Sequence, residues 1–207
     1  MQGKFITFEG PEGSGKTTVI SEVANLLRDI GYEVMVTREP GGIRIAEQIR
    51  EVILNVDHTE MHPRTEALLF AAARSQHMHE KVVPALKEGK IVLCDRFIDS
   101  SLVYQGVARE LGIDEILTIN LFGIGGAPLP DLTALLMVRP EVGLNRIKKN
   151  NRDENRLDKE TLDFHNLVFS GYDVVYYTNE RMRRINAEQP LDKVISDTLS
   201  LVLDILE

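Results

Sequence analysis

The sequence predicts an α/β fold in which a parallel β-sheet is covered by helices on both faces. Short apolar runs at residues 4–9, 34–37, 91–94 and 132–138 are typical of strands that are buried on both sides. Stretches with apolar residues at helical spacing separate these runs, as repeated βαβ units require. Glycine, proline or charged residues follow each run, where such a fold places its ligand-binding turns.

Apolar spacing and helix breakers predict the other elements. Helices are predicted over residues 19–30, 45–54, 67–83 and 191–206. Gly31 fits the C-terminal cap of the first helix, Pro63 fits the start of the third, and Pro84 is expected to interrupt it. Ile185 lies in a short candidate strand.

Length and composition indicate one soluble domain. The 207 residues can bury a full core, and 43% apolar with 27% charged residues is typical of a globular protein. The net charge of −8 argues against a nucleic-acid partner, which needs a basic face. Because Cys94 is the only cysteine and no apolar run reaches membrane-spanning length, we expect a cytoplasmic protein without a disulfide or a membrane partner.

The string GPEGSGKT at residues 10–17 matches the phosphate-binding loop pattern G-x-x-x-x-G-K-[ST]. It follows a predicted strand and precedes a predicted helix, which is the context that the motif requires. Its glycines let backbone N–H groups approach phosphates, Lys16 supplies a positive charge, and the Thr17 hydroxyl suits Mg²⁺. A glycine-rich turn is the alternative, but it leaves the lysine and the hydroxyl unexplained. We therefore expect the chain to bind a nucleoside triphosphate.

Two charged residues follow the third strand. Asp95 ends a buried strand and is placed to approach Mg²⁺ directly or through water, although it could instead cap the next helix. Arg96 stands where ATPase motors usually have the glutamate that activates water. A guanidinium there neutralises charge between two phosphate groups, which favours transfer to a phosphate acceptor.

Other classes of nucleotide-binding protein fit the sequence less well. A GTPase switch needs a D-x-x-G segment, which the chain lacks, and residues 150–153 only loosely resemble its guanine-reading N-K-x-D motif. Another nucleoside monophosphate or deoxynucleoside kinase stays an alternative. A non-enzymatic nucleotide-binding module is the third hypothesis, which Arg96 disfavours.

Two patterns are ambiguous when taken alone. The segment REPGG at residues 38–42 is turn chemistry, yet it places Glu39 at a strand end, where the sheet presents its ligands. Phe70 and Arg74 share one helix face, either as a core aromatic with a surface arginine or as a platform and an edge contact for a base.

Three other segments carry a weaker signal. Residues 100–106 by themselves predict a surface helix, with three polar side chains within about one turn, namely Ser101, Tyr104 and Gln105. Residues 123–126 are too weak for a second nucleotide loop and indicate a linker. The polar run at residues 150–156 is typical of a solvated loop or, in a phosphate-loop enzyme, of a lid.

In their order along the chain these strings resemble the bacterial thymidylate (dTMP) kinase family, which belongs to the nucleoside monophosphate kinase-like group of the P-loop NTPases. The matching strings are FEGPEGSGKTT at residues 8–18, TREPGG at 37–42, LFAAAR at 69–74, CDRFIDSS at 94–101, YQG at 104–106, PDLT at 130–133 and RLD at 156–158. The resemblance implies a single P-loop kinase domain over residues 1–207 with a lid at about 150–158. It also implies a homodimer that uses Mg²⁺ and transfers the γ-phosphate of ATP to dTMP, giving dTDP for dTTP biosynthesis.

The resemblance further implies residue roles around ATP. The residues expected to bind ATP are Gly10, Pro11, Glu12, Gly13, Ser14, Gly15, Lys16, Thr17, Thr18, Arg152 and Arg156. The metal would lie among Thr17, Asp95 and Glu39. The residues expected to take part in catalysis are Lys16, Arg96, Asp95, Glu39 and Arg152.

A second set of residues would bind dTMP. Glu12 would receive the 3′-hydroxyl of the sugar, and the acceptor phosphate would lie among Glu39, Arg50 and Arg96. Phe70 would stack on thymine. The other expected contacts are Arg74 and Gln105 at the polar edge of the base, Ser101 beside it, and Tyr104 under C2′ of the sugar.

The chain departs from the family pattern in two places. Phe97 stands where many members have tyrosine or histidine, which removes a hydroxyl or an imidazole. Residues 43–46 replace a smaller, hydroxyl-bearing segment, which changes the loop after the double glycine. Arg152 and Arg156 resemble the lid arginines of the subgroup that has no basic residue inside the phosphate loop.

Overall fold

The computed structural model describes residues 3–149 and 155–207 and contains a parallel sheet of five strands in the order β2-β3-β1-β4-β5. The strands are β1 (Lys4–Glu9), β2 (Val34–Arg38), β3 (Ile91–Asp95), β4 (Leu132–Met137) and β5 (Met182–Asn186). Every paired neighbour is parallel. The predicted α/β class and all five predicted strands are confirmed.

Helices connect the strands and cover the sheet. They are α1 (Lys16–Asp29), α2 (Arg44–Leu54), α3 (Pro63–His77), α4 (Val83–Lys87), α5 (Ile98–Ser101), α6 (Ile113–Ile124), α7 (Pro140–Lys149), α8 (Leu162–Tyr177) and α9 (Leu191–Leu203). Two π-helical segments, Met78–Val82 and Leu102–Ala108, continue α3 and α5. Within the described ranges, no helix combines the length and the apolar character needed to cross a membrane.

The core has two parts because side chains of the central strand alternate between the faces of the sheet. Ile6 and Phe8 of β1 pack in one apolar cluster with α1 and α9. Phe5 points to the opposite face and packs in a second cluster with α3 and α8. Burial on both faces explains why the strands are continuous apolar runs rather than alternating ones.

The strand register brings the predicted site residues to one edge. The order of the sheet reverses at β1, which lies between β3 and β4, and parallel sheets bind ligands at such a switch point. Phe8 of β1 aligns with Asp95 of β3, which in turn aligns with Arg38 of β2. The loop after β1 therefore emerges beside the ends of β2 and β3.

Two predictions about chain breaks are wrong. Helical structure continues past Pro84, because the π-helical segment ends at Val82 and the proline falls in the first turn of α4, where its missing N–H costs least. Residues 123–126 are not a linker. Gly123 and Ile124 complete α6, and Gly125 caps it in the left-handed conformation with φ 56°.

The packing of α7 against the phosphate-binding loop tests this arrangement. A Cβ atom at Gly143 would lie 2.1 Å from the carbonyl oxygen of Glu12, so backbone must move. We expect Gly143→Ala to weaken ATP binding and to lower the free energy of unfolding by ~1–3 kcal/mol, the usual cost of overpacking. Isothermal titration with ATP and chemical denaturation measure both effects.

Gly123→Ala is the matched control, since it also adds a methyl group to a helical glycine. Its closest contact would be 3.3 Å to the carbonyl oxygen of Ala71, and alanine gains about 1 kcal/mol in helix propensity. We expect near-neutral stability and unchanged ATP binding. Equal effects of the two substitutions would contradict close packing of α7 on the loop.

Candidate active site

The loop at residues 10–17 wraps around the amino group of Lys16. Gly10, Gly13 and Gly15 all have positive φ, at 140°, 70° and 87°, which only glycine adopts at low cost. The Nζ atom of Lys16 donates to the carbonyl oxygens of Gly10 and Pro11, each at 3.0 Å. Burial and the nearby Arg96 guanidinium lower the pKa of Lys16 to about 8. The loop therefore holds the Lys16 amino group in place at the start of α1, where helix N–H groups also attract anions.

A hydroxyl and a carboxylate meet beside this loop. The Thr17 hydroxyl, in the first turn of α1, donates to Oδ2 of Asp95 at 2.8 Å. Both residues are hard oxygen ligands of the kind that Mg²⁺ prefers. This corner of the site fits a divalent cation held next to the phosphates on the loop.

Arg96 reaches the centre of the site from an unusual backbone conformation. Its φ is 68°, which is uncommon for a residue with a side chain, and its N–H bonds to the Phe8 carbonyl at 2.9 Å. The guanidinium donates to Glu12 Oε1 at 3.0 Å and to the Ser100 hydroxyl at 2.9 Å. It also lies 5.0 Å from the ring centroid of Tyr104. The turn after β3 thus aims Arg96 at the loop after β1.

Glu12 joins the phosphate loop to the predicted sugar site. One of its oxygens pairs with Arg96, and the other accepts a hydrogen bond from the Tyr104 hydroxyl. Burial opposes ionisation, but Arg96 and Lys16 outweigh it and hold the pKa of Glu12 below its usual value. An ionised Glu12 is a hydrogen-bond acceptor, as the predicted contact with a sugar hydroxyl requires.

Glu9 fixes the turn that carries Arg96. Its fully buried carboxylate accepts from the backbone N–H of Phe97 at 2.7 Å and from that of Ser100 at 3.2 Å. The Tyr172 hydroxyl donates to it at 3.0 Å. Burial, with a smaller contribution from the Asp99 charge, raises the pKa of Glu9 to about 7. The carboxylate at the end of β1 is therefore a support for the site, and its proton binding lies near neutral pH.

Arg74 and Glu39 form a buried ion pair in the wall of the cavity described below. The Arg74 Nε donates to Glu39 Oε2 at 2.7 Å, and His77 Nδ1 lies 2.9 Å from Oε1. One Nη of Arg74 bonds to the Ser101 hydroxyl at 3.1 Å and to Asn120. One of the two interpretations of Phe70 and Arg74 was a core phenylalanine with a surface arginine on α3. That interpretation is wrong, because Arg74 is buried and Phe70 is only partly buried.

The environment of Glu39 bears on its predicted metal role. Potential ligand atoms of Glu39, His77 and Cys94 lie within 4.8 Å of one another. However, the Arg74 guanidinium already pairs with the carboxylate, and burial keeps the pKa of the Cys94 thiol well above its usual value, so the thiol stays protonated. A cation here would compete with an arginine, whereas Thr17 and Asp95 offer oxygens without that conflict.

A cavity of about 690 Å³ connects these groups. Its lining includes most of the residues predicted for ATP, metal and dTMP, namely Glu12, Gly13, Ser14, Gly15, Lys16, Thr17, Thr18, Glu39, Arg50, Phe70, Arg74, Asp95, Arg96, Ser101, Tyr104 and Gln105. Arg50 is held over it by a hydrogen bond to the Pro40 carbonyl at 3.0 Å. The segment at residues 100–106 is not a surface helix: its predicted site residues are buried and face this cavity.

Of the two predicted lid arginines, the structure describes only one. Arg152 lies outside the described residues. Arg156 is described and does not line the cavity, because its guanidinium bonds to Glu66 Oε2 at 2.6 Å and to the Ile53 carbonyl at 2.9 Å. In this conformation Arg156 anchors the chain to α2 and α3 rather than reaching the phosphate loop.

The sequence does not predict a role for three residues at or near the site. Tyr172 belongs to no motif, and only the hydrogen bond from its hydroxyl to Glu9 shows that it supports that carboxylate. Glu66 and Arg146 look like ordinary charges that favour the first and last turns of helices, which is the common reason for such residues. Yet Glu66 is buried, and Arg146 lines the cavity and bonds to the Ala187 carbonyl at 3.0 Å.

The fold and the site define a class. A phosphate-binding loop at the switch point of a parallel sheet, a hydroxyl–carboxylate corner beside it and an arginine-lined chamber next to both are the parts of a P-loop nucleotide kinase.

Comparison with known proteins identifies the particular family. The family model described as thymidylate kinase matches residues 8–198. Thymidylate kinase of Geobacillus sp. (strain WCH70) is 55% identical, covering 100% of this chain and 99% of the relative. Thymidylate kinase of Clostridium novyi (strain NT) is 58% identical, covering 95% of this chain and 96% of the relative. Thymidylate kinase of Bacillus velezensis (strain DSM 23117 / BGSC 10A6 / LMG 26770 / FZB42) is 57% identical, covering 100% of this chain and 98% of the relative.

The chain therefore belongs to the thymidylate kinase family, which confirms the resemblance. Its reaction is the transfer of phosphate from ATP to dTMP, giving dTDP for dTTP synthesis.

The titration of Glu9 has a measurable consequence. Its pKa of about 7 in the folded protein exceeds the ordinary value of 4.5, so the folded state binds this proton more tightly than the unfolded state does. The resulting stabilisation is complete below about pH 4.5 and is lost as the pH rises through about 7. We expect the free energy of unfolding of the wild type, minus that of Glu9→Gln, to fall by roughly 1–3 kcal/mol between pH 5 and pH 8.

Denaturant titrations of both proteins across this pH range measure that difference. Glutamine does not titrate, so subtraction removes the contributions of other groups that the two proteins share. A difference that stays constant with pH would show that the pKa of Glu9 is not raised in the folded protein.

Proposed function

We propose that this cavity is where the chain transfers the γ-phosphate of ATP to dTMP. The observation that carries the proposal is the continuity of the cavity from Lys16 and Thr17 on the phosphate loop, past Arg96, to Phe70 on α3. A donor nucleotide on the loop and an acceptor nucleotide beneath Phe70 would bring their phosphates together next to Arg96.

ATP would bind along the loop at residues 10–18. Backbone N–H groups there and the N-terminus of α1 suit its phosphates, and Lys16 adds a charge. We propose Mg²⁺ as the divalent cation that such kinases use, with Thr17 and Asp95 as the residues that hold it. Glu39 stays a predicted ligand, although Arg74 and His77 bond to its oxygens. When bound, the ion supplies charge neutralisation between the phosphates.

The chemistry requires positioning more than proton transfer. The acceptor phosphate oxygen is already anionic near neutral pH, so no side chain has to act as a general base. Arg96 and Arg50 line the part of the cavity where that phosphate would lie, and they would hold it in line with the donor. Their charges, with that of Lys16, would offset the repulsion between the two anionic nucleotides.

The acceptor nucleoside would lie between α3 and the π-helical segment Leu102–Ala108. Phe70 offers a ring for the base, and Arg74 with Ser101 offers polar atoms at its edge. Glu12 and Tyr104, which are joined by a hydrogen bond, lie where the sugar would bind. We also propose that a lid closes over ATP and excludes water, the competing acceptor. Arg152 is the lid arginine that would reach the phosphates, and Arg156 is the second candidate for that role.

An acceptor panel tests this placement against the nearest alternative, another nucleoside monophosphate kinase. ADP release from MgATP should require an acceptor, and dTMP should exceed AMP, CMP and GMP in kcat/KM. Preference for one of the other monophosphates would reject the thymine site between Phe70 and Arg74.

Arg96→Ala tests the central charge. The guanidinium contacts Glu12 and Ser100 in the free site and would face both phosphates in the transition state. We expect kcat to fall by ~10³-fold or more, the scale of arginine effects in phosphoryl transfer, with ATP affinity changed far less. Pre-steady-state turnover and nucleotide binding separate the two quantities.

Arg139→Ala is the matched control, because Arg139 is an exposed arginine that pairs with Glu188 outside the cavity lining. It removes the same side chain and the same charge, and its kcat should stay at the wild-type value. Near-normal turnover of Arg96→Ala would remove Arg96 from catalysis.

The proposal includes a homodimer in the cytoplasm. The buried, unpaired Cys94 is compatible with a reducing compartment. Exposed apolar side chains lie on two helices that pack together: Leu68 of α3 is 58% exposed, and Leu121 and Phe122 of α6 are 42% and 88% exposed. A patch of large apolar side chains at the surface is typical of an interface.

Phe122→Glu should therefore shift the protein toward a monomer, because the new charge would be buried without a partner in the interface. Tyr177→Glu is the control, since Tyr177 is an equally prominent aromatic, 80% exposed, at the end of α8. Sedimentation velocity measures the association state of both variants. A wild type that sediments as a monomer would contradict the proposed dimer directly.

A further inference from the structure

Glu66 is a buried carboxylate in the first turn of α3 that contacts three side chains. Its Oε1 accepts from Gln105 Nε2 at 2.8 Å and, over a longer distance, from Arg109 Nε at 3.4 Å. Its Oε2 accepts from Arg156 Nη2 at 2.6 Å and from Arg109 Nη2 at 3.3 Å. Glu66 and Gln105 are each 1% exposed, so solvent cannot replace these partners. Of the four, Gln105 lines the cavity.

The two guanidinium groups keep Glu66 ionised. Burial opposes the charge, but Arg109, Gln105 and Arg156 outweigh it and lower the pKa of Glu66. An ionised carboxylate accepts hydrogen bonds and cannot donate them. Glu66 therefore imposes a direction on every hydrogen bond that it makes.

This direction fixes the side-chain amide of Gln105. An amide has a donor NH₂ at one end and an acceptor oxygen at the other, and only the NH₂ can face Glu66. Within the described residues, the oxygen of this amide accepts no hydrogen bond, and the side chain borders the cavity. The amide oxygen is therefore the acceptor that this side chain keeps available for a ligand in the cavity.

We propose that Glu66 is a positioning residue that determines base specificity by holding the Gln105 oxygen toward the acceptor base. The inference rests on the proposed placement of the base between Phe70 and Arg74. An oxygen in that position selects a pyrimidine with an N–H at position 3, as thymine has. Cytosine presents an unprotonated N3 there, and two facing acceptors repel each other.

Glu66→Gln tests the inference because it preserves shape while changing hydrogen-bond direction. Arg156 Nη2 at 2.6 Å and Arg109 Nη2 at 3.3 Å still require an oxygen on their side, so the new amide turns its NH₂ toward Gln105 and gives up the longer contact with Arg109 Nε. Gln105 must then reverse and present its own NH₂ to the base. We expect the ratio of kcat/KM for dTMP over 5-methyl-dCMP to fall by about tenfold, the scale of one mispaired buried hydrogen bond. Both substrates carry the same 5-methyl group, so the ratio reports the polar edge alone.

Glu160→Gln is the matched control. Glu160 belongs to the same cluster through its ion pair with Arg109, at 2.5 Å, and among the described residues no hydrogen bond or ion pair joins it to Gln105. Both substitutions remove one negative charge and disturb the same arginine. A purely structural role of the cluster would lower stability in both variants and leave both ratios unchanged, which would overturn the inference.

Gln105→Leu separates the inference from the placement on which it rests. If this variant keeps the wild-type ratio, Gln105 does not read the base, and the placement and the inference both fail. If Gln105→Leu lowers the ratio and folded Glu66→Gln does not, the inference alone fails. For the wild type, NMR of the dTMP complex gives an answer that needs no folded variant. Side-chain NH₂ protons of Gln105 close to the Glu66 methylenes support the inference, and NH₂ protons close to the base overturn it.

Discussion

The geometry of the site depends on one carboxylate buried at the end of β1. Glu9 accepts hydrogen bonds from the backbone of Phe97 and Ser100, which ties the turn after β3 to the central strand. That turn holds Arg96 at φ 68°, a conformation that a side-chain-bearing residue keeps only when its surroundings enforce it. Without the anchor, the backbone could relax and the guanidinium would leave the phosphate loop.

Much of the architecture could be predicted because strands buried on both faces leave a strong pattern. Every strand and the phosphate loop were predicted, since apolar runs and glycine spacing are local signals. The wide helical turns at Met78–Val82 and Leu102–Ala108 were not, because π-helical hydrogen bonding has no comparable sequence signature. For the same reason Pro84 was predicted to break a helix that in fact continues past it.

The site was predictable in its parts but not in its connections. Motif strings identify Lys16, Arg96 and Arg74 individually, yet nothing local indicates that Tyr172 supports Glu9 across 163 residues of sequence. Arg156 illustrates the same limit. A polar, arginine-bearing segment predicts a lid. The pairing of Arg156 with Glu66, in contrast, depends on how α2, α3 and the π-helical segment Leu102–Ala108 pack together. Contacts between distant elements follow from the fold, which the sequence specifies only as a whole.

The charges of the site also explain how an acidic chain can receive two anionic nucleotides. Burial disfavours the charge of Lys16, and the nearby Arg96 guanidinium disfavours it further, so the pKa of Lys16 is lowered. Glu12 lies with both of them and offsets this repulsion in the free protein. A phosphate entering beside the two cations would provide the same compensation more strongly and would raise the affinity of Lys16 for its proton. Binding of the donor and full protonation of Lys16 are therefore thermodynamically linked, and each favours the other.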